Sequence, residues 1–300
     1  MGAEATSGAG GAAHSCRHAS TQFLGAGGVR LLLQAWLPAG PDPMELPEPS
    51  AVIAVVHGYG DHGGRYVRFG EAMAARGWAV YVYDLRGHGQ SSGRRGQVKR
   101  FDDYLDDTEM YLDEVRRLQS GKPLLLLGHS LGGLICARLA EERPPAVRAL
   151  ILSSPFLQLA EALPPARVAA AKGLAVVWPH KDIGNTLQAE QLSHDKTVVD
   201  AYVTDRLVHH VAPARWAAET LAAQDAAMAA AERIALPLYV LYGKDDQVVD
   251  VAFIEALFAR AESGDKTIRS YEGLYHECFN EVGRERVYED LAAWIAPRVR

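Results

Sequence analysis

Cysteine is scarce, at 3 of 300 residues. Cys16, Cys136 and Cys278 are odd in number and share no metal-ligand spacing, so neither a disulfide framework nor a zinc site follows. That usage suits a reducing, cytoplasmic compartment. A basic excess is also missing. The net charge is −6, with 31 Lys and Arg against 37 Asp and Glu. This argues against a nucleic-acid partner, because neutralising phosphates needs a basic face. The run from Arg94-Arg95 to Lys99-Arg100 is short and reads as a solvated loop. No stretch reaches the ~18 apolar residues of a membrane-spanning helix. Residues 1–20 lack the charged start and apolar centre of a signal peptide and read as a flexible Gly/Ala/Ser tail. Met1-Gly2 with Thr6 fits the myristoylation pattern, although in so Gly/Ala-rich a tail chance supplies the match.

What is present is 48% hydrophobic and 23% charged, enough chain for one large core or two small ones. Val29 to Trp36 reads as an early strand and Pro38 to Pro49 as a loop. Ala51 to Val56 (AVIAVV) is a continuous β-branched run, as expected of a strand buried on both faces. Trp78 to Tyr83, Pro123 to Leu127, Val147 to Ser153, Leu238 to Tyr242 and Lys266 to Tyr271 read as further strands. Helices fall between them at Arg65 to Arg76, Asp102 to Leu118, Leu131 to Glu142 and Val251 to Ala261, and Arg284 to Ile295 closes the chain. Strands alternating with helices give a mostly parallel central sheet with helices on both faces, an α/β fold. The alternation stops at 155–232, an Ala-rich helical insertion. The expected division is a tail at 1–20, a core at 21–154 and 233–300, and a helical cap at 155–232. Cys136, in the helix after residue 130, is expected to be buried.

The stretch from Gly128 to Gly133 reads G-x-S-x-G between a strand and a helix, the context of a nucleophile elbow. Small residues on either side let a sharp turn lift the Ser130 hydroxyl out of the core, beside the positive end of the next helix. The plainer alternative is that Ser130 only caps that helix. A serine nucleophile needs a positioned base and acid, which in folds of this kind follow in the order Ser, acid, His. Of the later histidines, only His276 falls in a loop after the last strand; His209 and His210 lie in the insertion, where structural roles are expected. YVLYGKDDQVV offers Asp245 and Asp246, and the spacing from Gly243 favours Asp246; Asp245 is then solvated or a cap for the Val251 helix. A carboxylate there holds the imidazole tautomer that leaves Nε2 free for the serine proton. Two N–H groups must face the oxyanion. Leu131, following the serine, supplies one, and Tyr59, in the loop HGYGDHGGRY, supplies the other. Side-chain identity at Tyr59 should matter little, because the backbone donates. His57 is read as a buried brace of that loop.

These residues resemble the monoacylglycerol lipase family. His57 to Tyr66 is similar to its HGxGEHxGRY motif, and Tyr83 to Ser91 to its DxRGHGxS segment, with Arg94 to Val98 continuing the match. Gly128 to Gly133 and Tyr271 to Glu277 fit as well, and the likeness spans about residues 22 to 297. The resemblance implies an α/β-hydrolase fold with a helical cap, and a serine esterase that splits monoacylglycerols into glycerol and fatty acid. It carries Ser130, Asp246 and His276 onto the triad, Tyr59 and Leu131 onto the oxyanion donors, and Asp61 and Arg65 onto a glycerol pocket. Asp61 is one methylene shorter than the usual Glu. Tyr59 stands where a small or aliphatic residue is common, and so would narrow the site mouth.

No metal or organic cofactor is implied. The expected partner is a small lipid ester. The segment Leu163 to Trp178 reads either as a cap helix packed on the core or as an apolar surface that touches lipid interfaces. The chain would then be cytoplasmic and peripheral to lipid surfaces. A lysophospholipase, a general carboxylesterase or an acyltransferase would use the same triad, and a non-catalytic binding module could keep the same fold.

Overall fold

A computed structural model describes residues 16–40, 47–184 and 187–300. The first fifteen residues of the expected tail, with the Met1-Gly2 pattern, and residues 41–46 of the expected loop lie outside the described residues. Eight strands form one sheet. They are β1 (Arg17–Leu24), β2 (Arg30–Leu37), β3 (Ala51–Val56), β4 (Trp78–Tyr83), β5 (Leu124–His129), β6 (Ala149–Ser153), β7 (Leu238–Gly243) and β8 (Lys266–Tyr271). Their order across the sheet is β1-β2-β4-β3-β5-β6-β7-β8. The β1–β2 and β2–β4 pairs are antiparallel, and every pair from β4–β3 onward is parallel. This is the α/β-hydrolase architecture, a mostly parallel sheet with helices on both faces.

The continuous apolar strands are buried on both faces because alternate residues serve different cores. In β3, Val52, Ala54 and Val56 join the cluster beneath α2 (Asp102–Leu118) and α3 (Leu131–Glu142). Ala51, Ile53 and Val55 face the opposite layer, built by α1 (Val67–Ala74) and α8 (Arg284–Ile295). The period-two geometry of a strand leaves no polar position when helices cover both sides. Cys136 is fully buried in α3, as expected.

One strand escapes the apolar pattern. β1 starts at Arg17, inside the stretch expected to be tail, and all but Phe23 of its residues are exposed. It is held by backbone pairing to β2 from Arg17 opposite Leu37 to Leu24 opposite Arg30.

The insertion at 155–232 forms α4 (Pro165–Val177), α5 (Lys196–Thr204) and α6 (Ala214–Ala230), and β7 is followed by α7 (Val251–Arg260). Among its described residues the insertion holds no named strand, although Leu159 makes an isolated bridge to Val249 and Asp182 one to Pro213. Its rear joins the core. α6 packs on α3, and Ala223 and Ala227 belong to the main core cluster. α4 packs on α6 through Ala171 and Ala175 and leaves its other faces exposed. Among the described residues no helix is long and apolar enough to cross a membrane.

Candidate active site

β5 ends at His129 and α3 begins at Leu131, so Ser130 carries the whole reversal between them. Its backbone sits at φ 52°, ψ −117°, a conformation that a residue with a Cβ adopts only at a cost of ~1–3 kcal/mol. Neighbouring glycines make that turn possible. A Cβ on Gly128 would lie 2.3 Å from the Gly132 carbonyl oxygen, and one on Gly132 would lie 2.0 Å from that of Val56. Ser130 occupies the capping position of α3, yet its side chain makes no capping hydrogen bond. The helix-cap alternative is thereby removed. The Ser130 backbone N–H donates to Ser153 O at 3.0 Å, and its carbonyl accepts from Phe156 N at 2.9 Å. These bonds fix the turn while the hydroxyl borders a cavity of about 340 Å³.

His276 and Asp246 meet behind that cavity. His276 Nδ1 and Asp246 Oδ2 are 2.8 Å apart, with both side chains almost wholly buried. Asp246 Oδ1 accepts from Val248 N at 2.8 Å and Val249 N at 3.0 Å, which aims the other oxygen at the ring. Burial works against the Asp246 charge, but His276 and those backbone donors outweigh it and hold the carboxyl below its usual range. Burial likewise disfavours the imidazolium, yet the Asp246 carboxylate prevails and raises the His276 pKa above its ordinary 6.5. With Nδ1–H committed to Asp246, Nε2 is the basic nitrogen. The His276 ring lies 4.9 Å from that of His129, the residue before Ser130. Burial and that adjacent His276 push the His129 pKa down to about 4, so His129 stays neutral. Asp245 is exposed. The α7 cap is Asp250, whose side chain accepts from Ala252 N.

The loop after β3 lies against the serine: a Cβ on Gly58 would approach Ser130 Cβ to 3.3 Å. His57 braces this loop, as expected. It is fully buried, Leu85 N donates to its Nε2 at 2.9 Å, and its Nδ1 donates to Gly58 O at 2.7 Å. Asp84 adds a second brace by accepting from Gly63 N at 2.7 Å. Leu85 and Asp84, the partners in these contacts, both lie in the segment after β4, which explains why the HG and DxRGHG stretches belong together. No acceptor for the Tyr59 N–H occurs among the described residues. Leu131 opens α3, so its N–H is one of the four at a helix start that have no intrahelical acceptor.

Asp61 and Arg65 also border the cavity, in a cluster that holds two residues missed in the sequence. Arg65 forms a forked pair with Glu277, Nη1 to Oε1 and Nη2 to Oε2, each at 2.7 Å. Its Nη1 also donates to Asp61 Oδ1 at 3.1 Å, and its guanidinium lies 4.8 Å from the Tyr202 ring centre. Burial pushes the Asp61 pKa up, but Arg65, His57, His62 and the His62 N–H together outweigh it and hold the carboxyl below its usual range. Glu277 directly follows His276, and only that adjacency could have marked it.

The Tyr59 side chain borders the cavity, as does its neighbour Trp216. It stacks on Trp216 of α6, with centroids 3.6 Å apart.

Comparison with known proteins bears on what such a site does. A family profile described as "Serine aminopeptidase, S33" matches residues 47–283. The chain is 33% identical over 274 residues to a monoacylglycerol lipase of Mycolicibacterium smegmatis, covering 91% of this chain and 95% of that one. It is 34% identical over 248 residues to the phospholipase YtpA of Bacillus subtilis, covering 82% and 95%. The crystal structure of Paleococcus ferrophilus monoacylglycerol lipase superposes with a TM-score of 0.76 at 28% identity, covering 95% and 99%.

Proposed function

The chain belongs to the serine aminopeptidase S33 family of α/β-hydrolases, and we propose that, like the monoacylglycerol lipases it resembles, it hydrolyses medium- to long-chain monoacylglycerols to glycerol and fatty acid. The observation that carries the chemistry is the 2.8 Å contact of Asp246 with His276 beside the strained turn at Ser130.

In this reading His276 Nε2 takes the Ser130 proton as Oγ attacks the ester carbonyl. The Tyr59 and Leu131 N–H groups receive the oxyanion. Collapse of the tetrahedral intermediate expels the glycerol oxygen, which His276 protonates, leaving an acyl-serine. Water, deprotonated by the same imidazole, attacks the acyl carbonyl and releases the acid. Ser130, Asp246 and His276 are the catalytic residues, and no metal or organic cofactor takes part.

The glycerol end has a polar wall in Asp61, Arg65 and Glu277. Arg65 already faces two carboxylates, so the cluster is formally negative and suits neutral hydroxyls better than a phosphodiester. Phe156, Leu159 and Leu192 give the cavity apolar surface for the acyl chain. The 155–232 segment acts as the cap. Val176 and Val177 at the end of α4 are 75% and 78% exposed, and Trp178 beside them is 59% exposed. That patch supports contact with lipid surfaces from a cytoplasmic location, where the free thiols of Cys16, Cys136 and Cys278 would persist.

The phospholipase relative favours one second reading, a lysophospholipase with the same triad. Rates on monoacylglycerol, diacylglycerol, lysophospholipid and nitrophenyl esters of graded chain length separate the two. A monoacylglycerol lipase leads on the first; a kcat/KM highest on lysophospholipid reassigns the headgroup while leaving the triad intact.

A further inference from the structure

The loop expected to give the oxyanion N–H is sewn to the rear of the cap. His62 Nε2 lies 2.8 Å from Asp205 Oδ2, and His209 N donates to Gly60 O at 3.1 Å. Arg65 sits over the Tyr202 ring. Successive loop residues thus meet cap residues in reverse order, and Tyr59 holds the last rung. Its hydroxyl is 2.7 Å from Val211 O and 3.0 Å from Gly96 O, sharing one proton with the shorter contact favoured. Its ring lies nearly parallel to that of Trp216, at 19°. Gly96 has φ +65°, and a Cβ there would come within 2.3 Å of the Tyr59 hydroxyl. That glycine leaves the space the phenol occupies.

We propose that the Tyr59 side chain is a positioning residue that ties the oxyanion hole to the cap, through the Val211 carbonyl and the Trp216 ring. The inference rests on the serine-hydrolase reading above, in which the Tyr59 N–H is an oxyanion donor. The N–H and the phenol leave the same Cα, so a side chain held at both ring face and hydroxyl restricts the rotation of the peptide that carries the donor. Oxyanion donors act by being aimed before charge develops, and a small misalignment shows in the transition state more than in the ground state. A rear cap sewn to the loop cannot leave without disturbing this donor. Motion of the cap then falls to α4, which none of these rungs holds, while the α5–α6 half belongs to the catalytic frame.

The test is Tyr59→Phe, which keeps the ring on Trp216 and removes the hydroxyl link, with Trp216→Leu as a second variant that removes the stack. Two ligands report different states. An alkyl trifluoromethyl ketone adds Ser130 Oγ to its carbonyl carbon; the serine proton passes to His276, and the ketone oxygen becomes an oxyanion in the hole. A 1-O-alkylglycerol ether fills the same cavity and makes no oxyanion. For Tyr59→Phe, kcat should fall about tenfold and ketone affinity equally, well short of the ~100–1,000-fold cost of losing a donor outright. KM and ether affinity should stay within about twofold, the pattern of an interaction made only in the transition state. Trp216→Leu should show the same split between ketone and ether. Ketone affinity and kcat within about twofold of the parent in both folded variants overturn the proposal. So does an equal loss for ketone and ether, which marks a side chain that only shapes the cavity. Ester turnover surviving in Ser130→Ala defeats the underlying reading instead, whatever Tyr59→Phe does.

Discussion

Asp246 and His276 face one another at 2.8 Å although they stand thirty residues apart on loops after different strands. Two features hold the pair. The Val248 and Val249 N–H groups orient the carboxylate, and the Ser154 hydroxyl donates to the His276 carbonyl at 2.9 Å. The side chain of Asp245, its sequence neighbour, is exposed and takes no part; its backbone N–H donates to Leu274 O at 3.2 Å.

Asp246→Asn should therefore lower kcat by about 10⁴-fold, because an amide in that place favours the wrong imidazole tautomer. Asp245→Asn should stay within about twofold, as a solvated surface change. Steady-state ester hydrolysis by the two purified variants checks this; the reverse ranking would move the acid by one residue.

The pH dependence has a definite sign. His276 must be neutral to accept the Ser130 proton, and its pKa is raised by Asp246 against the opposing effect of burial. Activity is thus complete above the raised pKa and lost as pH falls through it. The acid limb of kcat/KM should have its midpoint above 6.5, histidine's ordinary value. A rate profile with its midpoint at or below that value contradicts the assigned partner.

The turn at Ser130 depends on its glycines for space. Gly132→Ala places a methyl against the Val56 and His57 carbonyls, which are backbone and cannot swing aside. A stability loss of at least ~1–3 kcal/mol is expected, with activity lost in parallel. Gly264→Ala, with nothing within 4 Å of the new methyl, is the control and should change stability by less than ~0.5 kcal/mol. Urea unfolding of the two proteins measures the difference.

Removing one partner of the Arg65–Glu277 fork should be costly in two ways. The Arg65 and Glu277 side chains are 10% and 6% exposed, so Glu277→Gln leaves a buried cation underpaired and should cost about 3 kcal/mol of stability. KM for monoacylglycerol should rise about tenfold, with little change for a short nitrophenyl ester that has no glycerol end. Equal effects on both substrates would remove Glu277 from the glycerol wall.

The cap patch should matter only where there is a lipid surface. Val177→Asp with Trp178→Asp exchanges exposed apolar side chains for charges. Binding to phospholipid vesicles, followed by co-sedimentation, should drop several-fold, while hydrolysis of a soluble ester stays within about twofold. Unchanged sedimentation would leave the patch without a lipid role.

Much of this was legible because it is local. β3, β4 and α2 are continuous or periodic apolar patterns, and the glycine spacing around Ser130 is a direct statement of steric room. β1 was not legible: exposed except at Phe23, it has no apolar rhythm, and pairing with β2 makes RHASTQFL a strand. Glu277 lies within a motif, yet nothing local marks its task, since its partner Arg65 is 212 residues away. At Tyr59 the sequence points to a backbone donor and to a ring at the site mouth, but not to what anchors that ring. Its anchorage depends on Val211 and Trp216, cap residues whose place over the loop after β3 is set by the tertiary fold.

Whether Ser130 hydrolyses monoacylglycerol can be read directly from glycerol release. Purified parent and Ser130→Ala protein are given the same monoacylglycerol, and glycerol release is followed over time. The parent should release glycerol steadily and Ser130→Ala none above background, with both proteins melting alike. Glycerol release by Ser130→Ala at a rate comparable to the parent, or none by a folded parent that still turns over other esters, would contradict a serine esterase acting on monoacylglycerol through Ser130.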